Sequence, residues 1–98
     1  MNIVKEAIAG TLESSDLLVK VSPNPEGTLE VIVQSEVIKQ FGQQIRRVVD
    51  ETLAKLEVRA GHILIEDKGA LDCAIRARVQ TAVLRGANCE ELNWEKLV

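Results

Sequence analysis

Between Leu17 and Leu56 the apolar residues change spacing once, from every second residue to every third or fourth, and this change divides the chain into strands and helices. Leu17, Val19 and Val21 alternate with Leu18, Lys20 and Ser22, and Leu29, Val31 and Val33 alternate with Glu30, Ile32 and Gln34. Such alternation buries one row of side chains and turns the other to solvent. The intervening SPNPEG holds two prolines and a glycine, which stop both strands, so the sequence predicts a β-hairpin with a loop wider than a tight turn. From Ser35 onward Val37, Ile38, Phe41, Ile45, Val48, Val49, Thr52 and Leu56 recur at helical steps, while Lys39, Gln43, Arg46, Arg47, Asp50 and Lys55 fall largely elsewhere. An amphipathic helix of about six turns is expected, with Ser35 as its N-cap. Gly42 lies inside that helix, costs about 1 kcal/mol against Ala, and calls for close packing on a neighbouring backbone.

The segment VRAGHILIEDKG alternates again, with His62, Leu64 and Glu66 on one side and Ile63, Ile65 and Asp67 on the other, and reads as a further strand. Leu71, Ala74, Ile75, Arg78, Val79, Ala82 and Val83 then restore the helical period up to Gly86, with Arg85 in the last turn. Glu6 to Leu12 supplies a weaker leading strand. The expectation is one domain over residues 1–98, with a core from about 5 to 86 and a polar tail over 87–98 that contains Trp94. Its class is α+β: a two-layer sandwich in which a small sheet of three or four strands carries two helices on one face.

The hydrophobic residues, 46% of the chain, are almost all aliphatic, because aromatics make up 2%. The core must therefore be Val, Ile, Leu and Ala, and the stacking rings used on single-stranded nucleic acid are lacking. A net charge of −3 also opposes phosphate-backbone binding, so no nucleic-acid partner is expected. The N-terminal MNIVKEAIAG contains Lys5 and Glu6 and no long apolar run, which predicts neither a signal peptide nor a membrane span, and hence a cytoplasmic protein. Cys73 and Cys89 with the single His62 do not make the ligand set of about four that zinc needs, and no metal is expected. Cys73 reads as a small buried hydrophobe and His62 as a packed or edge histidine.

Nucleophilic catalysis needs a base beside the nucleophile and a group that orients the base. Neither serine of GTLESSD, Gly10 to Asp16, has such neighbours in sequence, and no G-x-S-x-G turn or glycine-rich phosphate loop occurs. Glu13 with Asp16, and Glu66 with Asp67, form carboxylate pairs that read as solvated loop charges or caps rather than an acid–base dyad. The sequence therefore predicts a chain with no active site of its own, presenting a hydroxyl in a short polar stretch.

Gly10-Thr11-Leu12-Glu13-Ser14-Ser15-Asp16, Lys39-Gln40-Phe41-Gly42, and Asp67-Lys68-Gly69-Ala70-Leu71-Asp72-Cys73 followed by Arg76-Ala77-Arg78 resemble the citrate lyase acyl carrier proteins, the gamma subunits of that enzyme. The likeness runs nearly to Gly86. It implies that Ser14, the serine after the glutamate, carries a phosphoribosyl dephospho-coenzyme A group through a phosphodiester, while Ser15 occupies a variable position. It further implies a thiol on that group that holds acetyl and exchanges it for citryl on an alpha (transferase) subunit. A beta (lyase) subunit then releases oxaloacetate, so that citrate yields acetate and oxaloacetate, and a separate maturation enzyme attaches the cofactor. Cofactors carry such chemistry and the protein delivers it.

Lys68, Arg76, Arg78 and Arg85 are candidates to hold the phosphate charges of the cofactor or to dock partner subunits. Arg76 and Arg78 leave a helix about 200 degrees apart, so they cannot share one face. Two other readings stand beside this one: the acyl carrier of malonate decarboxylase, with which the D-x-G-A element would be shared, and a binding or structural subunit without cofactor. G-T-L-E-S and A-L-D-C favour citrate lyase.

Overall fold

The computed structural model describes residues 2–35 and 42–87. Its elements are β1 (Ala7–Gly10), β2 (Leu17–Ser22), β3 (Leu29–Ser35), α1 (Gly42–Lys55), β4 (Gly61–Asp67) and α2 (Asp72–Gly86). The strands form one mixed sheet in the order β1-β2-β4-β3, and the two helices pack on each other and on one face of it. The architecture is the expected α+β two-layer sandwich, with β1 as its leading edge strand.

The expected hairpin of β2 and β3 does not form. β4 lies between them, antiparallel to β2 with Val19 opposite Ile65, and parallel to β3 with Val33 opposite Ile65. The physical reason is in the connection: Pro23, Pro25 and Gly27 make a loop too wide for a tight hairpin, and it leaves room for β4 to pair along both of its edges. The six residues 23–28 step over that strand, a span of about 10 Å for two strand spacings. Asn24 shapes the step by donating from Nδ2 to the Thr28 carbonyl and hydroxyl, each at 2.9 Å. β3 and β4, being parallel, need the long crossover that contains α1.

Ser35 is the last residue of β3, and the turn that it is expected to cap lies outside the described residues. It stands opposite Asp67, and its hydroxyl donates to Asp67 Oδ2 at 2.9 Å. The described part of α1 runs over 14 residues from Gly42 to Lys55. Val37, Ile38, Lys39 and Phe41, and Cys89 and Trp94 of the tail, lie outside the described residues. α1 ends in a Schellman turn, with Val58 N–H donating to Leu53 O and Glu57 at φ 57°.

Leu17, Val19, Val21, Ile63 and Ile65 of the sheet meet Val48, Val49 and Leu53 of α1 and Ile75, Val79 and Val83 of α2, all buried. Each such side chain contributes about 1.5–3 kcal/mol on leaving water. Gly86 closes α2 on the sheet: a Cβ there would stand 2.7 Å from Val21 Cγ2, and its carbonyl accepts the N–H groups of Val4 and Lys5. Cys73 is exposed, contrary to the sequence reading, because it lies two residues before Ile75 and so turns away from the buried stripe of α2. His62 is on the open face of the central strand β4, half-exposed, with Nδ1 2.8 Å from Glu30 Oε2. No helix among the described residues is long and apolar enough to cross a membrane.

Candidate functional site

The segment Gly10–Asp16 joins β1 to β2, and its geometry begins with the glycine. Gly10 has φ +94°, and a Cβ on it would lie 1.9 Å from Leu17 O and 3.3 Å from Arg78 Cδ. The missing side chain lets Thr11 N–H reach Leu17 O at 3.0 Å and lets the Arg78 stem pass over the backbone. Thr11 Oγ1 then donates to Asp16 Oδ2 at 2.9 Å and accepts the Glu13 N–H at 3.2 Å.

Asp16 N–H donates to Glu13 O at 3.2 Å and closes a four-residue turn with Ser14 and Ser15 at its centre. Ser15 has φ +66°, the value a type II turn requires at its third residue. Ser14, at the second, is exposed, and its hydroxyl has no hydrogen-bond partner among the described residues.

A second turn holds the first. Ser15 N–H donates to Lys68 O at 2.8 Å and Lys68 N–H donates to Asp16 O at 2.9 Å, so the backbone of one residue in the β4–α2 connection fastens the serine turn at two points. Asp67 builds that connection. Its carboxylate, on a residue only 2% exposed, accepts from Ser35 Oγ at 2.9 Å, Gly69 N–H at 3.1 Å and Ala70 N–H at 3.0 Å.

α2 supplies the third constraint. Arg78 Nε donates to Asp16 Oδ1 at 3.2 Å and Nη2 to Asp16 Oδ2 at 2.9 Å, while Leu17 N–H donates to the same Oδ1 at 2.8 Å. The Arg78 hydrogen bonds, followed by that of the Leu17 amide, hold the Asp16 carboxyl below its ordinary value, and partial burial opposes them. The first and third motifs of the sequence thus meet at one end of the sheet, around Ser14.

Of the residues singled out from sequence, Ser14, Lys68 and Arg78 are brought together here. The Arg78 guanidinium is committed to Asp16, and Lys68 acts on the turn through its peptide groups. Arg76 is exposed and has no partner among the described residues. Arg85 stands further along α2, where Nη1 donates to Ile8 O at 2.9 Å. Gly10 and Thr11 are residues to which sequence reasoning gives no role of their own, and Asp16 and Asp67, read as solvated loop charges or caps, hold the two turns instead, Asp67 from a buried position. For Asp67 a signal existed, since Asp-x-Gly is a pattern of side-chain-closed turns; Asp16 carries none, because its partner is far along the chain.

Chemically, the site offers a hydroxyl on a fixed turn with no base in hydrogen-bond reach among the described residues. It can present Ser14 to an external base but cannot activate it.

A family model described as Malonate decarboxylase delta subunit (MdcD) matches residues 4–86. The citrate lyase acyl carrier protein of Cronobacter sakazakii is 64% identical over 97 residues, covering 99% of each chain. That of Pectobacterium atrosepticum is 62% identical over 97 residues, covering 99% of this chain and all of the relative. Among solved structures, a chain of a Pseudomonas malonate decarboxylase hetero-tetramer in complex with malonate superposes with a TM-score of 0.74 at 24% identity, over 85% of this chain and 84% of that one, a likeness of fold.

Proposed function

The chain belongs to the citrate lyase acyl carrier proteins, and from that premise we propose that Ser14 is the residue that anchors its prosthetic group, phosphoribosyl dephospho-coenzyme A. The chain is the carrier subunit of a multi-subunit lyase and not a catalytic one. The observation that carries the Ser14 reading is an exposed hydroxyl, without a hydrogen-bond partner among the described residues, at the centre of a turn whose backbone is held by Glu13, Asp16 and Lys68. An anchor needs access and a fixed direction, and it needs no base of its own.

In the attachment step the Ser14 Oγ–P bond forms as the bond from that phosphorus to the leaving group of an activated donor breaks. The hydroxyl proton passes to a base on the cofactor-transferring maturation enzyme. When bound, the group would supply a terminal thiol for acyl transfer. The chain's own part is to keep the anchor rigid: Asp16, Arg78 and the Lys68 peptide fix where the arm begins, and tethering raises the local concentration of the thioester at the alpha (transferase) and beta (lyase) subunits. Exposed Arg76 is the available cation for a partner subunit or a cofactor phosphate, with Lys68 beside the anchor. The complex is assigned to the cytoplasm.

The malonate decarboxylase reading is favoured by the family model and by the superposition, and it accounts for the shared fold. Full-length identity of 62–64% to citrate lyase carriers places citrate lyase first. Intact mass of the complex from its native host tests the proposal: a gain on the order of several hundred daltons on the peptide containing Ser14 is expected, and none in Ser14→Ala. An unmodified wild-type peptide from a working complex overturns it.

A further inference from the structure

Within Gly10–Asp16 the fold makes use of Gly10, Thr11, Ser15 and Asp16, each for a bond or a close approach that holds the turn. It makes no use of the side chains of Leu12 and Glu13. Leu12 is 53% exposed. The Glu13 backbone is tied at both ends, by its N–H to Thr11 Oγ1 and by its carbonyl to Asp16 N–H, yet its exposed carboxylate has no partner among the described residues. Of the two cations at the turn, Arg78 is paired with Asp16 and Lys68 makes no bond to Glu13. Glu13 is therefore a charge with a fixed root, one residue before the anchoring serine, and with no ion-pair partner among the described residues.

Charge complementarity says what meets it. An enzyme that joins a phosphate to Ser14 must neutralise that phosphate with cationic groups around the reacting hydroxyl. A carboxylate one residue away reaches the rim of the same site, where it finds the opposite sign. Leu12, two residues from Ser14 on the same rigid segment, adds apolar area that water covers in the free carrier. We infer that Leu12 and Glu13 are the recognition pair by which the enzyme modifying Ser14 engages this chain, through an apolar depression for Leu12 and a basic residue for Glu13.

This inference rests on the Ser14 reading, and its test separates the two. Loading is followed by intact mass with the purified cofactor-transferring enzyme and its activated donor, on wild type, Leu12→Ala, Glu13→Gln and Glu13→Lys. KM for the carrier is expected to rise about tenfold in Glu13→Lys and several-fold in the other two, with kcat within about twofold of wild type. The advantage of wild type over Glu13→Gln should also shrink as salt rises from about 0.05 to 0.5 M, since a rim charge is screened. Wild type loaded on Ser14, with all three variants at unchanged KM, overturns the inference and leaves the Ser14 reading standing. A raised KM that tracks a lowered urea midpoint in the same variants overturns it too, since the side chains would then be structural. A wild-type chain that gains no mass on Ser14 overturns both.

Discussion

Arg78 grips Asp16 with two nitrogens across sixty-two residues of chain, Nε to Oδ1 at 3.2 Å and Nη2 to Oδ2 at 2.9 Å. The pair ties the middle of α2 to the last residue of the serine turn, so the turn takes its shape only when α2 is docked on the sheet. Both side chains are partly in water, which limits the Coulombic part, and what remains is a two-pronged geometry that fixes direction.

Removal of that grip should loosen the turn more than the molecule. Arg78→Ala is expected to cost about 1 kcal/mol of global stability, the scale of a partly exposed charged hydrogen bond. Amide hydrogen exchange at Ser15 and Asp16 should accelerate well beyond what that loss accounts for. Arg78→Lys keeps the charge and loses the fork, and should fall between the two. Equal acceleration across all strands would show that the pair supports the whole fold and not the turn.

The same pair sets a dependence on acid. Asp16 is held below its ordinary value of 3.8, chiefly by Arg78 and then by the Leu17 amide, so the folded chain stays ionised where the unfolded chain takes a proton. Its contribution is fully present above about pH 4 and is lost as pH falls through the folded value. Urea unfolding of wild type and Asp16→Asn should thus differ at pH 7 and 5 and converge as pH drops below about 4. A difference that stays constant through that window would mean the carboxylate charge plays no part.

Ser15 is a serine in a conformation that favours glycine, at φ +66°. The left-handed region costs a non-glycine residue roughly 1 kcal/mol or more. Ser15→Gly is therefore expected to hold or raise stability by up to about 1 kcal/mol, and Ser15→Val to lower it by at least as much. Because the Lys68 carbonyl takes the Ser15 amide and not its hydroxyl, Ser15→Gly should still be loaded on Ser14. Thermal midpoints and intact mass read both outcomes.

How much of this was open to sequence depends on the range of each interaction. Period 2 at Leu17–Val21 and Leu29–Val33 and period 3.6 at Ile45–Leu56 are local, and they identify strand and helix correctly. Strand order is set by β4, which begins 44 residues after the start of β2 and 32 after the start of β3 and enters between the two strands that look adjacent. For Ser35, what the local sequence does not announce is its place in a strand ladder and its bond to Asp67, 32 residues further on. At the site, the exposure of Ser14 follows from the short polar stretch around it, while its role as anchor is an expectation from family resemblance. Asp16 reads as a solvated loop charge because nothing near it in sequence announces Arg78.

Asp67 offers the sharpest test of how the two turns are joined. Its buried carboxylate takes one hydroxyl and two backbone amides, and an Ala in its place would leave the Gly69 and Ala70 donors short of acceptors. The cost should be about 2–3 kcal/mol, the range for buried donors left unsatisfied. Ser35→Ala removes only one donor and leaves both amides bound, so it should cost about 1 kcal/mol or less. Asp67→Asn keeps one oxygen for the amides and should lie between. Since the peptide of Lys68, the next residue, makes both bonds to the serine turn, Asp67→Ala should also slow loading of Ser14 under conditions where the variant is still folded, and Ser35→Ala should not. Urea midpoints give the first comparison and initial rates of mass gain the second. If Asp67→Ala loads at the wild-type rate while folded, the serine turn is held without the second turn, and the Arg78 grip alone must suffice.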